Sequence, residues 1–221
     1  MNYIRTVNGQ KFFFENPGDY HYSIEEIARG LSRVARYNGH TDGQVYNVAQ
    51  HSLLVSYLVP ELYALQALLH DASEFVTGDI TKPLKNLIDT HSNDFFSDLE
   101  EDIQRAMHKQ LAVPRRKAGH RWIKRADAAA LRFEQWCLQL ENPESYYPFP
   151  PNAHTLSWIP GVHPAMRCYG ETINYTVVPH DAETSERLFL QRWTELQEQA
   201  CQRILSSNAS AELCTLLGVK P

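Results

Sequence analysis

"ALLHDASEFVTGDITKPLK", residues 67–85, decides how this chain is read. An apolar helical run, Ala67-Leu68-Leu69, leads directly into His70 and Asp71, with Glu74 and Asp79 close behind. Burying that much charge costs several kcal/mol unless the groups are paired or bound to a metal. At about 100° per residue His70, Asp71 and Glu74 fall at the same end of one helix, so three polar side chains there call for a common partner. The helix is expected to resume after the break at Pro60, over "ELYALQALLHDASEFV", and to be closed by Gly78.

Upstream, "VAQHSLLVSYL" (residues 48–58) follows a helix-start pair, Asn47 and Gln50. Its apolar stripe is Val48, Leu54, Val55 and Leu58, and His51 lies on that stripe, three residues after Val48. His51 therefore points inward. An earlier helix is capped by Ser23 and Glu26, carries Ile24, Ile27, Ala28, Leu31 and Val34, and is expected to end near Arg36. A polar, glycine-bearing loop, "YNGHTDGQ", links the two helices. Before them, Asn8-Gly9 between two strand-like runs predicts a hairpin over residues 3–14.

Downstream, "TKPLKNLIDT" predicts a short helix with Pro83 in its first turn. Phe95, Leu99, Ile103, Ala106 and Met107 mark a long amphipathic helix that stops before Pro114. Trp122, Ile123, Ala126, Ala130, Phe133 and Cys137 line the inner face of the next, with Asp127 inside the stripe. Periodicity fails over the proline-rich stretch 142–180, where a loop excursion with a short strand at "INYTVV" is expected. Tyr146, Tyr147, Phe149 and Trp158 in that excursion either stack on a base or pin the loop. A last helix begins near Asp181 and packs through Leu188, Phe189, Trp193, Leu196 and Ala200, leaving residues 206–221 as a tail. The expected fold is all-α, a single domain over 1–205 with about six to eight helices around the site and a small amino-terminal β-hairpin.

Composition narrows the function classes. At 221 residues, 43% hydrophobic and 21% charged, the chain has the profile of a soluble globular domain. A formal net charge of −5 argues against a broad nucleic-acid face and leaves room for a local basic pocket. No apolar run has the length of a bilayer crossing, and "MNYIRTVNGQKFFFENPGDY" lacks the pattern of a secretion signal, so a cytoplasmic location with no membrane partner is expected. The four cysteines, Cys137, Cys168, Cys201 and Cys214, have no close pairing and read as reduced thiols. Oligomeric state is left open, a homo-oligomer included.

Three elements thus each direct metal-capable side chains to the core: His51, the pair His70-Asp71, and Asp127. Two imidazoles and two carboxylates suit cobalt, manganese, zinc, iron or magnesium to differing degrees, so the ligand set does not choose the ion. Four protein ligands on an ion that prefers six leave positions for water and substrate. No second spaced ligand set is visible among the remaining histidines, which favours one ion over two. Phosphoryl transfer needs cations near the transferring group, and the candidates are Arg36, Lys82 and Lys85. Lys82 and Lys85 read equally as a solvated face, and His40 as a phosphate contact or a surface residue.

"VAQHSLLVSYL", "ALLHDASE" and "IKRADAAAL" resemble, in order and spacing, the His, His-Asp and Asp motifs of the HD-domain metal-dependent phosphohydrolases. The similarity runs from about Ile24 to Leu140 and is greatest to the bacterial and phage deoxyribonucleoside 5′-monophosphatases and phage deoxynucleotide triphosphohydrolases. It implies an HD-type helical bundle in which His51, His70, Asp71 and Asp127 hold one divalent metal ion. It implies further that Glu74 orients the attacking water, that Asp79 is a second acid at the active site, and that Arg36 lies near the substrate phosphate. Tyr37 stands where the monophosphatases carry Trp, a departure that bears on sugar selectivity. The expected function is hydrolysis of a (deoxy)ribonucleoside 5′-monophosphate to nucleoside and phosphate. A triphosphohydrolase, with Arg33, Lys82, Lys85 and Lys124 as further cations, is the alternative. A non-catalytic nucleotide-binding module is the rival from another class.

Overall fold

The structure is a computed structural model that describes residues 2–41, 43–138, 160, 162–165 and 174–206. Most of the 142–180 excursion, with Tyr146, Tyr147, Phe149 and Trp158, lies outside the described residues, as does the tail from 207 onward. The chain is mostly helical, with eight α-helices among the described residues and a two-stranded antiparallel hairpin at the amino terminus.

In that hairpin β1 (Tyr3–Arg5) pairs with β2 (Lys11–Phe13), Tyr3 opposite Phe13. Gly9, with φ +83°, supplies the left-handed turn that Asn8-Gly9 announces. Phe12 alone of β2 is buried, and its ring sits 5.0 Å from Tyr20 and 6.1 Å from Phe75 in a cluster of edge-on aromatics.

Helix α1 (Ile24–Leu31) is capped by Ser23, whose hydroxyl accepts the Glu26 N–H at 3.2 Å. The cap is one-sided: Glu26 turns away and its carboxylate accepts the Tyr20 hydroxyl at 2.5 Å. The helix expected to reach Arg36 ends at Leu31. A short antiparallel contact competes with it, in which Arg36 N–H donates to the Tyr46 carbonyl (2.9 Å) and Val48 N–H to that of Val34 (3.1 Å). This contact draws Arg36 back against the start of the next helix and buries it.

That helix, α2 (Val48–Leu58), begins at Asn47, whose side chain accepts the Gln50 N–H at 3.0 Å. It is buried from Val48 through Ser56, so it has no polar face and the stripe expected for it is only part of its contact surface. Packing on α1 and on three later helices accounts for this.

Helix α3 (Glu61–Leu68) stops before His70, and His70 and Asp71 lie in tight turns rather than in a helix continuing to Gly78. The chain re-enters a helix only for α4 (Glu74–Thr77), which Gly78 closes at φ +75°. Helix α5 (Lys82–Ser92) carries Pro83 in its first turn, as expected. Its Asp89 accepts the Phe96 and Ser97 N–H groups (3.0 and 3.1 Å), capping α6 (Phe95–Gln110) from outside. Phe95, expected on the packing face, is 62% exposed, because that cap sets the first residue of α6 outward. Helix α7 (Lys117–Leu138) buries Ile123, Ala126, Ala130 and Phe133, whereas Trp122 departs from the expected inner face at 40% exposed, its ring near the Arg125 guanidinium.

A second antiparallel pair, β3 (Val162–Ala165) with β4 (Asn174–Val177), includes the expected strand at "INYTVV". Gln50 anchors the segment after β4 by donating to the Val178 carbonyl (2.7 Å) and accepting the His180 N–H (2.9 Å). Helix α8 (Ala182–Ser206) closes the bundle on α1, α2 and α3 through Phe189 and Leu196. A single apolar cluster runs from Phe12 to Leu196. No helix among the described residues is long and apolar enough to cross a membrane.

Candidate metal centre

Four side chains from three separate stretches meet at the centre of the bundle. His51 projects from α2, His70 and Asp71 from the turn after α3, and Asp127 from α7. His51 Nε2 lies 3.1 Å from Asp127 Oδ1 and 3.5 Å from Asp71 Oδ2. His70 Nε2 lies 3.1 Å from Asp71 Oδ2 and 3.9 Å from Asp127 Oδ1. Ligand atoms of His51, His70 and Asp127 all fall within 4.8 Å of one another, and Asp71 faces both rings from beside them.

The second nitrogens decide what this cluster fits. His70 Nδ1 is 2.8 Å from the Ala67 carbonyl, which only accepts, so Nδ1 carries the hydrogen. His51 Nδ1 is 2.6 Å from Glu134 Oε1, an acceptor when ionised. Both rings therefore offer an unprotonated Nε2 to the shared centre when neutral, and both Nε2 atoms are buried with only the Asp71 and Asp127 oxygens facing them and no well-aligned hydrogen bond. Buried, unsatisfied nitrogens facing two carboxylates are the donor set of a divalent cation. The residues present fit such an ion.

Without an ion these groups pair with one another: burial lowers both imidazoles, but facing carboxylates outweigh it and raise them, His70 well above its ordinary value. Burial raises Asp71, but the adjacent His70 charge and then that of His51 outweigh it and hold this carboxyl at about 2. Burial likewise raises Asp127, and the His51 and His70 rings beside it bring it well below the usual carboxylate range. Asp127 is the most open of the four, its side chain 41% exposed, so the centre has an accessible side.

Around it stand the expected neighbours. Glu74, the first residue of α4, is buried with Oε2 lacking any partner. Burial first, then the Asp71 and Asp79 charges, push its carboxyl well above its ordinary value. Asp79 is also raised, by burial and by Asp71, against the pull of Arg36. Arg36 reaches Glu134 at 3.2 Å and Asp71 at 3.8 Å. Lys85 is committed elsewhere, with Nζ 2.8 and 2.9 Å from the two Glu100 oxygens. Lys82 and His40 lie on the surface, outside the buried cluster.

Glu134 is the functional residue that sequence reading missed. It is 0% exposed, and besides His51 and Arg36 it accepts the hydroxyls of Tyr37 (Oε2) and Tyr46 (Oε1), each at 3.0 Å. Its signal was its place two helical turns after Asp127, on the same face of α7. Tyr37 is held at φ 56°, a left-handed conformation that costs a non-glycine residue roughly 1–2 kcal/mol. Gln104 of α6 donates to the His70 carbonyl at 2.7 Å, pinning the ligand turn from behind.

No protein-family model matches the chain. Over 198 residues it is 30% identical to the uncharacterized protein YfdR of Escherichia coli (strain K12), covering 90% of this chain and 97% of that protein. It is 36% identical over 140 residues to the uncharacterized protein RCAP_rcc00048 of Rhodobacter capsulatus, covering 59% of this chain and 69% of that one. At that identity and coverage the chain belongs to the protein family that includes YfdR and RCAP_rcc00048.

Proposed function

We propose that this chain is a cytoplasmic, metal-dependent phosphohydrolase of the HD-domain type. Its substrate on this reading is a (deoxy)ribonucleoside 5′-monophosphate, and its products are nucleoside and inorganic phosphate. The observation that carries the proposal is the pair of buried, unsatisfied Nε2 atoms of His51 and His70, opposed by Asp71 and Asp127. A divalent ion held by those four residues supplies a Lewis acid that lowers the pKa of water and offsets phosphoryl charge.

The remaining steps belong to the chain's own groups. Glu74 offers an unpartnered, buried Oε2 to align the attacking water and accept its proton. Asp79 is the second acid beside it, within the same electrostatic field. Arg36, fixed by Glu134 and Asp71, presents a permanent positive charge to the transferring phosphoryl oxygens. Tyr37 lies against Arg36, its ring centroid 5.4 Å from the guanidinium carbon, and forms part of the same wall. Water attacks phosphorus, the bond to the 5′ oxygen breaks, and that oxygen takes up the proton Glu74 removed from the water, so the nucleoside leaves neutral.

The triphosphohydrolase alternative calls for further cations along the distal phosphates. Two of the four candidates are paired with carboxylates that do not belong to the centre, unlike those that hold Arg36: Arg33 with Glu183 (3.2 Å) and Glu186 (2.8 Å), Lys85 with Glu100. That leaves the surface residues Lys82 and Lys124, which favours the monophosphate. A pure binding module has no use for an unpartnered buried carboxylate like Glu74.

The test is metal analysis of the purified protein followed by a nucleotide panel with product identification. Release of inorganic phosphate from 5′-monophosphates is expected. Intact triphosphate as product would replace this reading with the alternative, and no turnover with any of several divalent ions would leave the binding module.

A further inference from the structure

Glu134 makes contacts on two sides of the site at once. Oε1 accepts from His51 Nδ1 at 2.6 Å and from Tyr46 at 3.0 Å. Oε2 accepts from Tyr37 at 3.0 Å and lies 3.2 Å from Arg36 Nε. Most of this is sealed from water, since Glu134 and His51 are fully buried and Arg36 nearly so, with half-buried Tyr37 at its edge. A buried carboxylate with four partners is stable only as a complete set, because removing one leaves the others unpaired. Its partners also belong to different jobs: one is a candidate metal ligand, while Arg36 and Tyr37 form the substrate wall.

We propose that Glu134 is a positioning residue that couples the metal centre to the phosphate-facing wall, orienting His51 with Nε2 toward the ion while anchoring Arg36 and Tyr37. The inference rests on the metal reading of the same site and names what holds that site in register. On the metal side, a carboxylate on Nδ1 fixes ring orientation and makes Nε2 a stronger donor. On the wall side, it holds the hydroxyl of a left-handed Tyr37 and fixes the guanidinium of Arg36, whose backbone the Tyr46 contact already places. An ion and an anion bound at the two sides therefore depend on one shared group.

The test uses the full chain, Co²⁺ as the probe, and inorganic phosphate as the anion. Glu134→Gln keeps the size and an acceptor for His51 but removes the charge. We expect Co²⁺ affinity to fall by about 10- to 100-fold, a level typical of lost support to a ligating histidine. The visible absorption of the bound ion should also change, and weaker phosphate binding to the Co²⁺-loaded protein should accompany it. Ile103→Val, a core trim outside this network, lowers stability without moving either affinity, which separates positioning from general destabilisation. Should Glu134→Gln fail to fold, Glu134→Asp keeps the charge but is too short to reach both sides, and a loss in the same direction is expected. Co²⁺ affinity within about twofold of the parent in whichever variants fold would overturn the inference alone. A parent chain that takes up no divalent ion would sink the metal reading, and this inference with it.

Discussion

Glu74 and Phe75 are adjacent in sequence and belong to two unlike regions. Phe75 joins the aromatic end of the molecule, with ring centroids 6.1 Å from Phe12, 6.3 Å from Tyr20 and 6.1 Å from Tyr22. The polar tips of that cluster are satisfied within it: Tyr20 donates to Glu26 and Tyr22 to the Pro17 carbonyl. Glu74 feels the Asp71 charge of the ionic centre, and its own Oε2, like the Nε2 atoms of His51 and His70, is buried without a partner. The aromatic end leaves one buried oxygen open, Glu26 Oε1 at its edge, whereas the ionic end gathers three open atoms among acidic and imidazole side chains. Buried polar groups left open in this way cost stability, a cost that a bound ion would offset on the proposed reading.

The largest effects should come from the ionic end and should split by role. Asp71→Ala removes a proposed ligand that faces both imidazoles, so both bound metal and turnover should be lost, by metal analysis and by rate. Glu74→Ala should keep its metal and lose about 10²- to 10⁴-fold in turnover, the usual worth of a positioned base. Full activity in Glu74→Ala would show that the water is oriented by another group.

Phe12→Ala tests the other side of the comparison. Phe12 is fully buried, and truncating it should cost about 3–5 kcal/mol by denaturant unfolding. Under conditions where the variant remains folded, its metal affinity should match the parent's. A parallel loss of metal would mean that the two ends are not separable.

Local signals carried most of what was legible in the sequence. The hairpin followed from Asn8-Gly9, the starts of α1 and α2 from Ser23 and Asn47, and the inward face of His51 from its spacing to Val48. Two imidazoles and two carboxylates expected to converge do converge. The break after Leu68 was not legible, because no glycine or proline lies between Glu61 and Thr77 and the apolar spacing runs through it. Tertiary contacts make that break, with Gln104 taking up the His70 carbonyl. By its spacing Arg36 marks a helix end, whereas a backbone contact with Tyr46 places it. Glu134 looked like any helical glutamate, since its four partners come from α2 and the segments before it, far away in sequence.

The smallest expected effect addresses the seam between the two regions. Helices α1 and α4 touch where Gly30 meets Phe75: a Cβ at Gly30 would stand 2.9 Å from Phe75 Cβ and 3.3 Å from its Cα. Backbone and Cβ atoms give way less readily than the tip of a flexible side chain, so Gly30→Ala must shift α4. Overpacking of this kind costs about 1–3 kcal/mol. Phe75 and Glu74 share one short helix, so the shift should also displace the Glu74 carboxylate from its place beside the ligands. A displacement of less than an ångström leaves His51, His70, Asp71 and Asp127 untouched but misaligns the water that Glu74 holds, so turnover should fall by about tenfold or more while metal affinity stays level. Equal losses in both would mean that α4 and the ligand turn move as one body, and the line between the two regions would then lie at Leu68 rather than between Glu74 and Phe75.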